Sequence, residues 1–288
     1  FKSSNPYTGT IYHAMIALGT VVDEFSPTKL LVGNYDVWHR HWPSRSLNHP
    51  NPLTALVKVL AAVTCTLIAR LKGIRIIWTI HNVGSHEQYY PRLERLYWLF
   101  FIAQLDGYIS LSESALLAAT KRYPRLAQLP GTVVPHIHYR EHYKNTMTPK
   151  EARKQLHISS SAKVILLLGK LRRYKNIPAL VHTFRQMAEP QSLLYIVGQP
   201  ASDAVADSIR ASVQGADNIR LVMEHVAADD VQMYLRAADM VALPYREILN
   251  SGSALLALSF DCPVLVPGQG SLSELQALVG NSWVMTYT

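Results

Sequence analysis

The run from Ala162 to Leu168, AKVILLL, is apolar at all but one position over the length of a single strand. A strand with one wet face alternates apolar and polar residues. An uninterrupted apolar strand is covered on both faces, as in a parallel sheet between two layers of helices. The chain then reads Gly169-Lys170-Leu171-Arg172-Arg173-Tyr174-Lys175-Asn176 before a helical pattern from Ile177 to Met187. Strand, glycine turn, cations and helix is the order in which an α/β sheet presents a binding loop at the carboxyl ends of its strands. A glycine turn with several cations suits a diphosphate, whose charges must be met without bulk.

The same rhythm recurs along the chain. Further buried strands are expected at Ile74 to Ile80, Asp106 to Ser110, Thr132 to Val134, Ser192 to Val197, Ile219 to Met223, Pro263 to Pro267 and Trp283 to Met285. The strand at Ser192 ends at Gly198. Near the start, Pro6 to Gly9 is expected as a turn, Ile11 to Leu18 as a short helix and Val21 to Phe25 as a strand. The apolar stretch Leu53 to Leu71 approaches the length of a membrane span, but it leads through Gly73 straight into a strand, so a core helix is expected. At 288 residues two domains are expected. The polar, irregular segment Tyr139 to Pro149 is the natural boundary, giving residues 1–145 and 146–288.

A second binding stretch runs from Leu243 to Leu275, LPYREILNSGSALLALSFDCPVLVPGQGSLSEL. Ser251-Gly252-Ser253 opens an apolar helix, and amides at a helix start together with the helix dipole attract phosphate. In the first half, a strand ending in Thr79-Ile80-His81 places a histidine where α/β sheets bind ligands. The segment Asp36 to Pro43 carries His39 and His41, which are expected on opposite faces, so no shared metal is anticipated. His136, His138 and His142 read as loop histidines, with no cysteine or carboxylate pattern for zinc.

The order of these features resembles the GT-B glycosyltransferases, in particular the large family 4 of retaining enzymes (group 1 glycosyltransferases), of the exopolysaccharide-assembly type. The likeness is strongest from Ala162 to Leu275: LPY, then SG, a small-residue helix, a Pro-Val strand, and Gly270-x-x-x-Glu274. The resemblance implies two Rossmann-like domains with parallel sheets facing an interdomain cleft, the first binding acceptor and the second binding nucleotide sugar. It further implies that the first strand and the closing C-terminal helices of the fold lie outside the sequence. By the same resemblance, Lys170 and Lys175 grip the donor diphosphate with Ser251, Gly252 and Ser253. Gly169, Arg172, Gly198 and Glu274 line the donor site, and His81 approaches the donor sugar. Tyr7, Gly9, His41 and His86 fall on the acceptor side. The family's two glutamates, eight positions apart, are replaced by Ile248 and Leu256, so Glu247 is the candidate substitute and the retaining mechanism loses its usual residues.

The expected activity is transfer of a sugar from a nucleotide-diphosphate donor (UDP or GDP) to a saccharide or polyprenyl-diphosphate-linked acceptor, with no metal or other cofactor. The alternative is a nucleotide-sugar-binding protein of the same fold that does not turn over. The whole formal excess of +8 falls in the residues up to Lys150, which suits an anionic partner such as a membrane surface. No helix-turn-helix, zinc or RNA-recognition signature accompanies it, so nucleic acid is not the expected partner. Two cysteines in apolar runs and no signal-peptide pattern lead to a cytoplasmic expectation, peripheral at the inner face of the plasma membrane.

Overall fold

A computed structural model describes residues 5–47, 49–85, 89–187 and 189–288. The chain divides into two compact units, Phe1–His136 and Ile137–Thr288. The stretch 137–145, assigned above to the first domain, is held by the second. The Tyr139 amide donates to Ser259 Oγ at 2.9 Å, and the Tyr139 ring is buried. Polarity marked this segment as a boundary, but its contacts put the division at its start.

The first unit contains α1 (Pro6–Ala17), α2 (Pro27–Val32), β1 (Val37–Arg40), α3 (Pro52–Leu71), β2 (Arg75–Ile80), α4 (Pro91–Ala103), β3 (Gly107–Ser110), α5 (Glu113–Arg122) and β4 (Gly131–Val133). Its four strands run parallel in the order β1-β2-β3-β4. The expected turn at Pro6 is instead the first turn of α1, because Asn5 caps it by accepting from the Tyr7 amide and Pro6 takes the position where an amide is not needed. Val21 to Phe25 forms no strand. Val21 is 90% exposed, and among the described residues β1 pairs only with β2. Trp78, Ile76 and Ile80 of β2 are fully buried and centre the core with Phe101 and Trp98 of α4.

Helix α2 has six residues, and its last carbonyls are closed from a distance. Lys72 Nζ, just past α3, donates to the carbonyls of Leu30, Leu31 and Gly33 at 2.9, 2.8 and 2.7 Å.

The second unit contains α6 (Pro149–Gln155), β5 (Lys163–Leu168), α7 (Ile177–Met187), β6 (Ser192–Val197), α8 (Asp203–Val213), β7 (Ile219–Val222), α9 (Val231–Ala237), β8 (Met240–Ala242), α10 (Gly252–Ser259), β9 (Val264–Pro267), α11 (Ser271–Val279) and β10 (Val284–Tyr287). All six strands are parallel in the order β10-β9-β8-β5-β6-β7. The chain therefore winds outward from β5 to β7, returns to β8 beside β5, and winds outward the other way. The carboxyl ends of β5 and β8 form the switch point, where an open parallel sheet leaves a crevice for a ligand. Beneath it, Leu166, Leu167, Leu194, Ile196, Val241 and Val264 are almost wholly buried, as the uninterrupted apolar runs require.

Candidate functional site

Both sequence-predicted donor segments leave the sheet at this switch point. Gly169 follows β5 with φ +111, a conformation suited to glycine. A Cβ built there would lie 3.2 Å from Lys175 Nζ and 3.7 Å from Ser253 Oγ, so strand exit, lysine and helix start converge. Asn176 takes a left-handed conformation after the turn Arg173–Lys175, which folds the lysine back over the strand end. Lys175 is 3% exposed, and its ammonium donates to the Leu168 carbonyl at 3.4 Å and lies 6.0 Å from the centre of the Tyr245 ring. Among the described residues no carboxylate is paired with it. Burial, and then the neighbouring charge of Arg172, lower its pKa from 10.5 to about 8.

Tyr245 is buried beside β8, and its hydroxyl shares hydrogen bonds with the side chains of Ser251 and Ser253. Ser251 caps α10 by accepting from the Ala254 amide at 3.2 Å. The amides of Gly252 and Ser253 belong to the first turn, which has no intrahelical carbonyl to receive them. The exit loops are fastened to one another. Arg246 N donates to the Tyr174 carbonyl and Arg246 Nε to Asn176 Oδ1, both at 3.2 Å. The Ser271 amide donates to the Leu249 carbonyl at 3.1 Å, and Gly270 approaches the Ile248 carbonyl so closely that a Cβ would lie 2.7 Å from it.

Gly198, at the end of β6, has φ +141, and a Cβ there would fall 2.2 Å from the Gly169 carbonyl oxygen. Gly198→Ala should therefore cost about 3 kcal/mol or more, from backbone strain plus overpacking. Gly9→Ala should do no harm, since nothing lies within 4 Å of that site. Urea unfolding of the two variants checks the contrast; a Gly198→Ala midpoint equal to the parent would show that the two strand ends separate freely.

Other assignments are placed differently. Lys170 is exposed, and Arg172 is half-buried near Lys175. Glu247 is exposed, and among the described residues no hydrogen bond or ion pair joins it to the cluster, while Ile248 and Leu256 pack on the hydrophobic core where the resembled family has glutamates. Glu274 sits in the first turn of α11. Sequence reasoning gave no role to Tyr174 or Tyr245, although the LPY motif contains the latter.

The first unit gathers a histidine cluster at the carboxyl edge of its sheet. His41 Nδ1 lies 3.1 Å from His81 Nε2, and His41 Nε2 lies 2.7 Å from the Tyr12 hydroxyl. The Trp42 ring stacks on His81 at 4.5 Å, and Tyr7 meets His81 edge-on at 4.8 Å and His136 at 4.6 Å. His39 and His41 are 4.2 Å apart, not on opposite faces, because residues two apart along a strand share a face. His39 bonds Thr79 Oγ1 at 2.7 Å. Burial lowers the pKa values of His39, His41 and His81 to about 4, 3 and 2, with neighbouring imidazoles adding to the effect at His41 and His81. All three rings are neutral near pH 7, and the His41–His81 bond requires one nitrogen to donate and the other to accept. Of the acceptor-side residues, Tyr7 and His41 join His81, Gly9 lies within α1, and His86 is outside the described residues.

Residues 162–282 match the family described as Glycosyl transferases group 1. Over 297 aligned residues, covering 99% of this chain and 76% of the relative, the sequence is 29% identical to a GDP-mannose:glycolipid 4-beta-D-mannosyltransferase of Xanthomonas campestris pv. campestris. Among solved structures, Anabaena Alr3699/HepE in complex with UDP and glucose superposes with a TM-score of 0.66 at 16% identity, covering 86% of this chain and 64% of that one. Sucrose-phosphate synthase of Thermosynechococcus elongatus superposes at 0.62 and 18% identity, covering 95% and 64%. The chain thus spans just under two thirds of the solved structures it matches. Its two parallel sheets, its switch-point loops and these likenesses give the chain the GT-B fold, with a group 1 glycosyltransferase match over residues 162–282.

Proposed function

We propose that this protein transfers a sugar from a nucleoside diphosphate donor, GDP-mannose first among candidates, to a lipid-linked saccharide. The observation that carries the reading is Lys175, a buried ammonium at the switch point with no carboxylate partner among the described residues. A charge in that position is costly unless an anion arrives. Lys175, the half-buried Arg172 and the first amides of α10 suit a diphosphate whose charge grows as it leaves, so in this reading the transfer needs no metal. The name of the Xanthomonas campestris relative supports GDP-mannose and a glycolipid acceptor.

Inversion at the anomeric carbon fits the residues better than the retention implied by the family resemblance. The usual glutamate places hold Ile248 and Leu256, and the relative is named for a β-linked product. Making a β-mannoside from an α-linked sugar nucleotide inverts the centre and needs a base on the acceptor hydroxyl. We assign that role to His81, at the carboxyl end of β2, which takes the proton only once bound anionic substrate raises its pKa from about 2. His41, held by Tyr12, orients it.

Thermal shift with GDP, UDP and their sugars tests the donor. A ligand bound only by the native state raises the melting temperature according to its concentration over its dissociation constant. GDP is expected to give the larger shift; no shift with any nucleotide would sink the reading. Donor binding without transfer to a lipid-linked acceptor would instead identify a nucleotide-sugar-binding protein.

A further inference from the structure

Helix α3 carries its large residues on the wrong side for a core helix. The positions turned into the fold are Ala55, Val59, Thr66 and Ala69, mostly small. The positions turned out include Leu53, Val57, Leu60, Leu67 and Leu71, between 45% and 88% exposed. Their spacing of three or four residues, or seven across Thr64, puts them on one stripe. The core-helix expectation therefore holds for one face only, and 22% of the apolar window is buried. The neighbouring helix α4 adds Leu96 and Leu99, 65% and 58% exposed. An apolar surface of this extent marks an interaction site.

The charges on these helices select the partner. Arg92 and Arg95 on α4 are exposed beside Leu96 and Leu99, while the exposed Lys58 lies on another side of α3 from its leucine stripe. The one carboxylate in either helix, Glu94, is 5% exposed and accepts from the Ser85 amide and Trp98 Nε1. Leucines with cations and no exposed carboxylate match an anionic bilayer surface. A second copy would set cations against cations. The helix is also pinned to its unit, since Arg40 Nη1 donates to Thr66 Oγ1, Arg70 pairs with Asp106 at 2.6 Å, and Lys72 clasps α2. Spanning a membrane would break all of these, so α3 lies flat.

We infer that the outward face of α3 and α4 docks this protein on an anionic lipid surface, the leucines entering the headgroup boundary and the cations meeting lipid phosphates. The inference deepens the proposed function, resting on its lipid-linked acceptor for its purpose though not for its geometry.

Co-sedimentation of the full-length protein with phosphatidylcholine vesicles, with and without phosphatidylglycerol, tests it. The parent is expected to bind the anionic vesicles, with binding falling as salt rises. Leu60→Ser with Leu67→Ser should weaken partitioning at least about 10-fold. Arg92→Gln with Arg95→Gln should weaken it about 10-fold on anionic vesicles alone. Both variants should keep the parent's nucleotide thermal shift, which reports folding and tests the donor site independently. Failure of the parent to bind anionic vesicles overturns the inference, as does equal binding by parent and variants. So does a lipid-free dimer that the leucine substitutions dissociate, which would assign the face to a second copy.

Discussion

Lys175→Met is expected to give a protein that is more stable than the parent when empty and no longer responds to nucleotide. Lowering the ammonium's pKa from 10.5 to about 8 represents about 3 kcal/mol against the charged form. Methionine has a similar length and no charge, and it forfeits the bond to the Leu168 carbonyl and the 6.0 Å approach of a cation to the Tyr245 ring, so a net gain of about 1–2 kcal/mol is expected. Nucleotide affinity should fall about 10- to 100-fold with the charge-assisted bonds to phosphate. The sign of the pH dependence follows. Between about pH 8 and 10.5 the unfolded lysine holds a proton that the folded one has released, so the parent's stability gains from this group as pH rises through that window. Below about pH 8 the cost is fully present. The variant should lack this slope. Urea melts at several pH values, with and without GDP, measure both effects; a variant less stable than the parent and still shifted by GDP would contradict the assignment.

His81→Gln should lower kcat by about 10²- to 10⁴-fold, the range for loss of a general base, while leaving the nucleotide thermal shift intact. Tyr12→Phe should lower kcat about 10-fold with little change in KM, because it removes the 2.7 Å bond that orients His41, itself 3.1 Å from His81. Burial holds the three rings neutral in the unliganded protein, so in the parent they contribute no inflection to kcat/KM between pH 5 and 8. Turnover by His81→Gln within about threefold of the parent would remove the base role.

Much of this was legible in the sequence where one local rule decides the outcome. The run AKVILLL could only be a covered strand, and β5 spans Lys163–Leu168. Lys175 was identified from its loop, but its four-cation motif does not say which cation turns inward. That depends on the left-handed Asn176 and the turn before it, which fold Lys175 under and leave Lys170 out. Asn5-Pro6 is both a turn signal and a helix-start signal, and only the Asn5 cap decides between them. For α3, the apolar content was plain, but the side on which the leucines lie follows from where the small residues pack. The histidine cluster brings together Tyr12, His41 and His81, residues 29 and 40 positions apart, and no local pattern announces that.

Lys72 carries a consequence for the order in which the first unit assembles. A helix of six residues does not persist in water by itself. Three carbonyls around the end of α2 are met by an ammonium about forty positions later in the chain, which is in place only once α3 has formed and docked. Helix α2 thus has no independent stability to contribute: it is a late, dependent element whose protection from exchange with solvent is borrowed from the helix that follows it.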